Sequence, residues 1–440
     1  ILGSLSANGK IYLINPSGIV FGKSAQVNVG SLVASSLNMS DRDFLNGNYK
    51  FASNGKAGDI INQGKISVIP GGLAALIGPS VINEGTITAA QGDVLLAAGD
   101  QVTLNFNRND LISYTVDKGA IDALAENSGL IKADGGQVIL TARAADTLTS
   151  AVVNNTGIIE AQTFKQKAGR ILLMSDMENG QTLVDGTLDA SAPNGGNGGF
   201  IETSAANLQV NDTAIITTLA KKGETGTWLI DPYDFTIAAS GGDITGAAVT
   251  TALANTNVTI QTTNTGVTCT NLAGCGTGNS AGNGDIFVND NITWTKNILT
   301  LNAYRDIVIN EELFGSDTAK LVLYYGQSTA GTYTINAPVN LPAGINGATF
   351  VTRLGTKAGN AINCTVITTP GAAGSTTGAD LQGMQGNLSS SYALGTNIDA
   401  SATSGWNNGA GFQPIGNSQQ NDFMGNFDGL GHTISNLYIN

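Results

Sequence analysis

The sequence predicts an all-β protein folded as a right-handed parallel β-helix, a solenoid of short stacked strands that continues into a β-rich shaft. Short apolar segments recur throughout the 440 residues, separated by clusters of Gly, Asn, Ser and Thr. Charged residues make up only 12% of the chain, while the hydrophobic share of 41% is normal for a folded protein. A repeat of roughly 20 residues fills the first half, which is typical of a solenoid because one unit cannot bury its own apolar face.

The repeat is clearest in two segments, Ile61–Ile66 and Ile82–Ile87, whose glycines lie 85 − 64 = 21 positions apart. Looser copies surround Gly129, Gly157 and Gly186. Each copy is followed by a second glycine that opens another apolar strand. These second glycines are Gly72, Gly92, Gly136, Gly169 and Gly199. Each unit is therefore expected to be strand, turn, strand.

Asn and Gly at the repeated positions are expected to form the corners of successive coils, because both residues tolerate left-handed backbone. The predicted corner residues are Asn62, Gly64, Asn83, Gly85, Asn127 and Gly129. The apolar residues between corners, such as Ile82 and Ile87, are predicted to point inward and to form ladders. The wider gap 129 − 85 = 44 indicates an extra coil or a loop excursion, and residues 117–125 have the spacing of a short helix.

Changes in the pattern divide the chain. We predict a repeat domain over 1–225, a β-rich shaft region over 226–364, a linker over 365–380 that is poor in apolar residues, and a distinct repeat-like block over 381–440. Because the formal net charge is −13, the composition argues against binding to nucleic acid. No apolar run is long enough for a membrane-spanning helix.

Three cysteines are present. Cys269 and Cys275 lie six positions apart, so a local disulfide in an oxidising compartment is predicted, with two free thiols as the alternative. Cys364 has no evident partner.

Catalytic and metal-binding patterns are weak. The single histidine, His432, has no recognisable nucleophile or orienting acid in its sequence context. A polysaccharide-degrading β-helix enzyme would need paired carboxylates, whereas the acidic residues here are scattered along the sequence. Solvated surface charge is the simpler explanation for them. They include Asp231, Asp234, Asp306, Glu311 and Glu312. No enzyme activity, cofactor or metal is therefore predicted.

One group of polar residues and one group of aromatic residues have the composition of binding sites. Oxygen-bearing residues near one turn would suit Ca²⁺, but they match no calcium-loop pattern, and turn formation explains them better. These are Asp285, Asn289, Asp290 and Asn291. Aromatic residues would form a sugar-stacking surface, yet aromatic side chains in solenoids more often pack internally. They are Trp228, Tyr233, Trp294, Tyr304, Tyr324, Tyr325 and Trp406.

A turn near the start of the chain, Asn15-Pro16-Ser17-Gly18, lies between two apolar runs. With its flanks it resembles the Asn-Pro-Asn-Gly motif in the secretion domain of two-partner-secretion exoproteins, the filamentous haemagglutinin-like family. Ser17 stands where that motif usually has Asn. The resemblance extends over residues 1–225 and includes residues 27–36 and 40–49.

This resemblance implies a right-handed β-helix with a few extra-helical strands. It also implies recognition, through Asn15, Pro16, Ser17 and Gly18, by a dedicated outer-membrane β-barrel transporter with POTRA domains. The family's other motif, Asn-Pro-Asn-Leu, is absent from this numbering, so the N-terminal part of the domain is expected to be missing.

The final block also resembles a known repeat. Residues 423–439, preceded by Phe412 and Ile415, are similar to the GLUG repeat of bacterial surface adhesins.

Together these features predict a bacterial adhesin, secreted to the surface of a Gram-negative cell, whose remainder forms an adhesive shaft that binds a host-cell or matrix glycan or protein. The alternatives are the stem of a contact-dependent inhibition toxin or haemolysin, and the polysaccharide-degrading enzyme.

Overall fold

The computed structural model describes residues 1–107, 110–146, 148–263, 282–327, 330–344, 348–416 and 422–440. Within these ranges nearly all regular structure is β, and the strands are mostly parallel. The predicted all-β parallel solenoid is confirmed. The helices described are Asp41–Leu45 (α1), Gly246–Leu253 (α2) and the 3₁₀ turns Ala358–Asn360, Gln382–Gly386, Ser401–Gly405 and Asn407–Gly409.

Three sheets form the first part of the solenoid, and each coil visits them in a fixed order. The eight-stranded sheet contains Ser4–Ser6, Gln26–Val29, Lys65–Val68, Thr86–Thr88, Leu130–Lys132, Ile158–Glu160, Thr187–Asp189 and Ile215–Thr217. The seven-stranded sheet contains Ile19–Phe21, Ile60–Asn62, Ser80–Asn83, Ala123–Asn127, Ala151–Asn155, Gly180–Val184 and Asn207–Val210.

The third sheet, here the long sheet, runs along the whole chain. Its strands are Lys10–Ile14, Ser31–Ser35, Leu73–Gly78, Asp93–Ala98, Gln137–Ala142, Arg170–Met174, Phe200–Ser204, Thr227–Asp231, Asn257–Gln261, Ile298–Asn302, Lys320–Tyr325, Phe350–Leu354, Ala361–Ile367, Ser391–Leu394 and Phe427–Asp428.

Two smaller sheets replace the first pair in the second half of the solenoid. One contains Phe235–Ala238, Ile286–Asn289, Ile307–Ile309 and Tyr333–Ile335, and the other contains Ile292–Trp294, Leu313–Gly315 and Val339–Asn340. A two-stranded sheet, Ile398–Asp399 with Ile434–Ser435, lies in the C-terminal block.

Alternate residues of each strand point into the solenoid and form its core. Ile87 is fully buried there, as predicted. Ile82 is not: its neighbours Val81 and Asn83 are the buried residues of the strand, and Ile82 lies on the outer face. The inward assignment of Ile82 was wrong because a four-residue strand offers too few alternations to set its phase from the sequence.

An antiparallel sheet, here the hairpin sheet, packs on the outside of the long sheet. It contains Tyr49–Ala52, Gln101–Asn107 and Asp110–Lys118. Its inserted hairpin accounts for the 44-residue gap as an excursion. The helix predicted over 117–125 is wrong, since that segment contains the end of one strand and the start of Ala123–Asn127. Pairing with neighbouring strands outweighs the local helical spacing.

The long sheet changes direction near its C-terminal end. Phe350–Leu354 is parallel to the strand before it, but Ala361–Ile367 pairs with it antiparallel. The strands that follow are parallel to Ala361–Ile367. The C-terminal block therefore joins the long sheet through one antiparallel strand pair, and the Val339 and Leu341 N–H groups bond it further to the Leu430 and Gly395 carbonyls.

The domain limits stay predictions. The long sheet continues across residue 225, whereas the eight- and seven-stranded sheets both end shortly before it. The segment predicted as a linker, 365–380, begins inside the strand Ala361–Ile367. Among the described residues, no helix is both long and apolar enough to cross a membrane.

Candidate functional site

The turn Asn15–Gly18 connects the edge strand of the long sheet to the edge strand of the seven-stranded sheet. The backbone N–H of Gly18 donates to the Asn15 carbonyl at 2.9 Å, which closes a β-turn. The Asn15 side chain reinforces it: Oδ1 accepts from the Ser17 N–H at 3.2 Å, and Nδ2 donates to the Gly18 carbonyl at 3.0 Å. Asn15 thus uses both the oxygen and the nitrogen of its amide to shape the turn, and the Pro16 and Ser17 side chains are exposed.

The next coil holds this turn in place. The Gly58 N–H donates to the Pro16 carbonyl at 2.9 Å, and the Ile19 N–H donates to the Asp59 carbonyl at 3.0 Å. Gly18 has φ of +100°, and a Cβ there would lie 2.8 Å from the Asp59 carbonyl oxygen. Glycine is required at Gly18 for both reasons. The four motif residues therefore form a rigid projection.

The predicted corner asparagines stack inside the solenoid. Asn62 Nδ2 donates to Asn83 Oδ1 at 2.7 Å, and Asn83 donates in turn to Asn127 at 2.7 Å. Asn127 continues the ladder to Asn155 at 2.8 Å. All four side chains are fully buried. Each amide is bonded to its neighbour, so the polar groups are satisfied and the register of the coils is fixed.

The corner glycines are explained by close approach, which corrects the expected left-handed backbone. None of Gly64, Gly85 and Gly129 has a positive φ. Instead, a Cβ at Gly85 would lie 2.2 Å from the Gly64 carbonyl oxygen, and one at Gly129 would lie 2.1 Å from that of Gly85. The coils stack too tightly at this corner for any side chain.

The acidic residues considered for catalysis are committed to local contacts. Asp234 accepts backbone N–H groups from Gly282, Gly284 and Asp285, each at 2.8 Å. Asp306 lies 3.2 Å from Arg305 Nε, and Glu312 accepts from Asn340 at 2.6 Å. The hydrogen bond from Asp285 and the charges of Asp285, Asp306 and Asp234 raise the pKa of Arg305, so these three acids surround one guanidinium, whereas Glu312 contacts Asn340.

The four residues with oxygen ligands suited to Ca²⁺ each bond to a different group of the protein. Asp285 binds the guanidinium of Arg305, with Oδ1 at 2.8 Å from Nε. Asp290 accepts the Gly246 N–H at 2.8 Å, Asn291 accepts the Glu312 N–H at 3.0 Å, and Asn289 accepts from Asn310 at 2.7 Å. Turn and corner contacts account for all of them.

The remaining candidates are also placed by the fold. His432 Nε2 lies 2.9 Å from the Val339 carbonyl oxygen. Trp228 and Trp294 are buried in the core, and Arg353 covers the ring of Tyr324 at 3.7 Å. Cys364 is buried, and burial raises the pKa of its thiol to about 12. Cys269 and Cys275 lie outside the described residues.

Two carboxyl groups that the sequence did not distinguish have altered acidity. Burial, assisted by the charge of Glu202, raises the pKa of Asp231 to about 6. Burial likewise raises the pKa of Asp243 to about 7, with Asp234 adding to the rise and the Thr236 N–H opposing it. No local sequence motif predicts the raised pKa of Asp231 or Asp243, because the burial of each carboxyl group depends on coils that are distant in sequence.

The turn lies in the part of the chain that matches a known protein family. The profile of the TPS secretion domain matches residues 1–185, which include Asn15–Gly18.

Curated relatives support the same region. A heme/hemopexin-binding protein of Haemophilus influenzae is 34% identical over 185 residues, which are 40% of this chain and 20% of that protein. A second one is 30% identical over 197 residues, which are 40% of this chain and 21% of that protein. The chain thus spans about a fifth of the length of these relatives. Halomucin of Haloquadratum walsbyi is 52% identical over 68 residues, or 14% of this chain and 1% of halomucin.

Among solved structures, the HMW1 secretion domain from Haemophilus influenzae aligns with a TM-score of 0.48 and 21% identity. The alignment covers 75% of this chain and 78% of that domain.

Proposed function

We propose that this protein is a bacterial surface adhesin exported by two-partner secretion, in which an outer-membrane β-barrel transporter with POTRA domains recognises Asn15–Gly18. The observation that carries the proposal is the TPS secretion domain over residues 1–185, with this turn exposed and rigid at its surface. The remaining coils and the C-terminal GLUG-like block form the shaft, which binds a glycan or protein on a host cell or matrix. The protein acts at the surface of a Gram-negative cell and is not an enzyme.

The first test is secretion. Asn15→Ala removes the side chain that closes the turn, so we expect secreted protein to fall at least tenfold in cells that contain the cognate transporter. Secretion is measured by immunoblot of the culture supernatant and the cell surface, with a transporter-deletion strain as the reference.

The matched control is Ser17→Asn, which introduces the residue found in the Asn-Pro-Asn-Gly motif and keeps a small polar side chain at the exposed position. Its secretion is expected to equal that of the wild type. Normal export of Asn15→Ala, or normal export without the transporter, would remove the proposed recognition.

Under this proposal, folding outside the cell makes export through the transporter one-directional. Each coil that forms buries apolar surface, worth about 25 cal/mol per Å², and so opposes return through the transporter. Ile87→Asp places a charge in the core and is expected to stall secretion. Ile82→Asp, on the outer face of the preceding strand of the same coil, is the control and should be secreted normally. Equal secretion of the two variants would contradict folding-driven export.

A further inference from the structure

The peptide bond between Asp231 and Pro232 lies at the seam between the two halves of the solenoid. The eight- and seven-stranded sheets have both ended by Thr217, and the first strand of the smaller sheets is Phe235–Ala238. Of the described sheets, the long sheet alone has strands on both sides of this seam, and its strand Thr227–Asp231 ends at the bond. A break at this bond would therefore divide the chain into one piece for each half.

The sequence at the seam is chemically distinctive. Pro follows Asp at no other position in the 440 residues. Pro232 has no backbone N–H, so its nitrogen cannot attack the Asp231 side chain to form a succinimide, which is the common side reaction of Asp. That nitrogen belongs to a tertiary amide, and it leaves as a secondary amine once it takes a proton. An Asp-Pro bond is therefore open to cleavage by its own carboxyl group.

The Asp231 carboxyl group has one oxygen that the fold does not use. The side chain lies on the outer face of the long sheet, between the buried residues Ile230 and Pro232. Its Oδ1 is buried and has no hydrogen-bond partner among the described residues, while Oδ2 accepts from Gln261 Nε2 at 3.4 Å. Buried carboxyl oxygens normally find donors, as those of Asp234 do. The unpartnered Oδ1 is thus available as a nucleophile.

The surroundings also keep a proton on this carboxyl group. Burial, assisted by the charge of Glu202 on the adjacent strand, raises the pKa of Asp231 to about 6, and the bond from Gln261 opposes the rise. Among the described residues, Glu202 is the charged group that acts on Asp231, and the strand on the other side presents the neutral Gln261. At pH 6 about half of the folded chains hold this proton, against about 1% or less for an ordinary Asp.

We infer that the chain cleaves itself at this bond, with the Asp231 carboxyl group attacking its own backbone carbonyl carbon and Pro232 leaving as a new N-terminus. Oδ1 bonds to the carbonyl carbon and closes a five-membered succinic anhydride. The bond from that carbon to the Pro232 nitrogen breaks, its electron pair stays on the nitrogen, and the carboxyl proton passes to the nitrogen. Water then opens the anhydride, so the net change is hydrolysis of one peptide bond.

The attacking and attacked groups belong to one residue, so no second group has to approach. Cleavage leaves the pieces 1–231 and 232–440, the first of which contains the residues that match the TPS secretion domain. The pieces stay together, because Thr227–Ile230 pairs with Asn257–Ile260 across the cut. Neither export nor adhesion is needed for this reaction, so it stands independently of the proposed function.

The test is incubation of the purified full chain at pH 5.5, followed by denaturing electrophoresis, intact-mass measurement and N-terminal sequencing. We expect two fragments, the second beginning at Pro232, and at least tenfold faster cleavage in the folded chain than in the chain unfolded by urea at the same pH. The rate in the folded chain should rise as the pH falls and level off below about 6, where Asp231 is protonated. Glu202→Gln removes a charge that raises the pKa of Asp231 and should move this midpoint to lower pH.

Two variants control the experiment. Asp231→Asn has no carboxyl group at the bond and should stay intact, whereas Asp317→Asn removes an exposed carboxylate elsewhere and should be cleaved like the wild type. An intact wild-type chain, equal rates in the folded and unfolded chains, or the same fragments from Asp231→Asn would each overturn the inference. A wild-type midpoint near the ordinary Asp value of 3.8 would overturn it as well, because the fold would then add nothing to the dipeptide.

Discussion

Gly129→Ala is expected to lower the free energy of unfolding by about 3 kcal/mol, because the new methyl group meets backbone on the neighbouring coil. Its Cβ would lie 2.1 Å from the Gly85 carbonyl oxygen and 2.7 Å from the Glu84 carbonyl carbon. Neither atom belongs to a flexible side chain, so relief requires the two coils to separate. Separation would also stretch the buried bond from Asn83 to Asn127, 2.7 Å long. Denaturant titration of the purified chain measures the change.

Gly405→Ala is the control for this substitution. A Cβ at Gly405 meets no atom within 4 Å, and its φ is not positive. Its unfolding midpoint should match the wild type within error. A Gly129→Ala midpoint equal to that of the control would mean that the corners are not packed as described.

Asp243→Asn is expected to stabilise the protein at pH 8 by an amount on the order of 2 to 4 kcal/mol. The pKa of Asp243 is raised by burial to about 7, against an ordinary value of 3.8. Between these values the folded chain holds a proton that the unfolded chain has lost, so stability falls as the pH rises from about 4 to 7. Above 7 the buried carboxylate imposes its full cost. Asn keeps an oxygen that accepts the Thr236 N–H and carries no charge.

The measurement is thermal unfolding of wild type and Asp243→Asn between pH 4 and pH 8. The curves should converge near pH 4, separate between pH 4 and pH 7, and keep a constant separation above pH 7. Asp317→Asn, which removes an exposed carboxylate, controls for the change in net charge. A constant offset between wild type and Asp243→Asn at every pH would contradict the buried-acid explanation. Asp231, whose pKa burial raises to about 6, adds to the same trend in both proteins.

The repeat could be predicted from the sequence because each coil of a solenoid places the same residue types at its corners and in its core. The 21-residue spacing of Asn62 and Asn83 corresponds to one coil, and the same amide-to-amide bond joins them. Short strands in the second half, such as Ile298–Asn302 and Lys320–Tyr325, fall where apolar segments were separated by turn residues. Local pattern suffices where neighbouring coils impose the same environment.

Features that depend on pairing between strands distant in sequence could not be predicted. The hairpin Gln101–Lys118 is held outside the solenoid by pairing with Tyr49–Ala52, about fifty residues earlier, and nothing in its own sequence indicates that partner. A second ladder of asparagine side chains, Asn289–Asn310–Asn336, was not predicted because these residues lie outside the repeat of the first half. The turn Asn15–Gly18 was located from its residues, whereas its support by Gly58 required the structure.

The antiparallel join between Phe350–Leu354 and Ala361–Ile367 interrupts the parallel stacking of the solenoid. In a solenoid, each coil is a template for the next, and cooperativity passes only between nearest neighbours. A parallel coil cannot be copied onto a strand that runs the opposite way, so templated growth stops at Leu354. Cohesion nevertheless continues past the reversal. The Val339 and Leu341 N–H groups donate to the Leu430 and Gly395 carbonyls, and Val366, Ala393 and Leu430 belong to the same core as the solenoid, so unfolding that begins in one part can pass to the other.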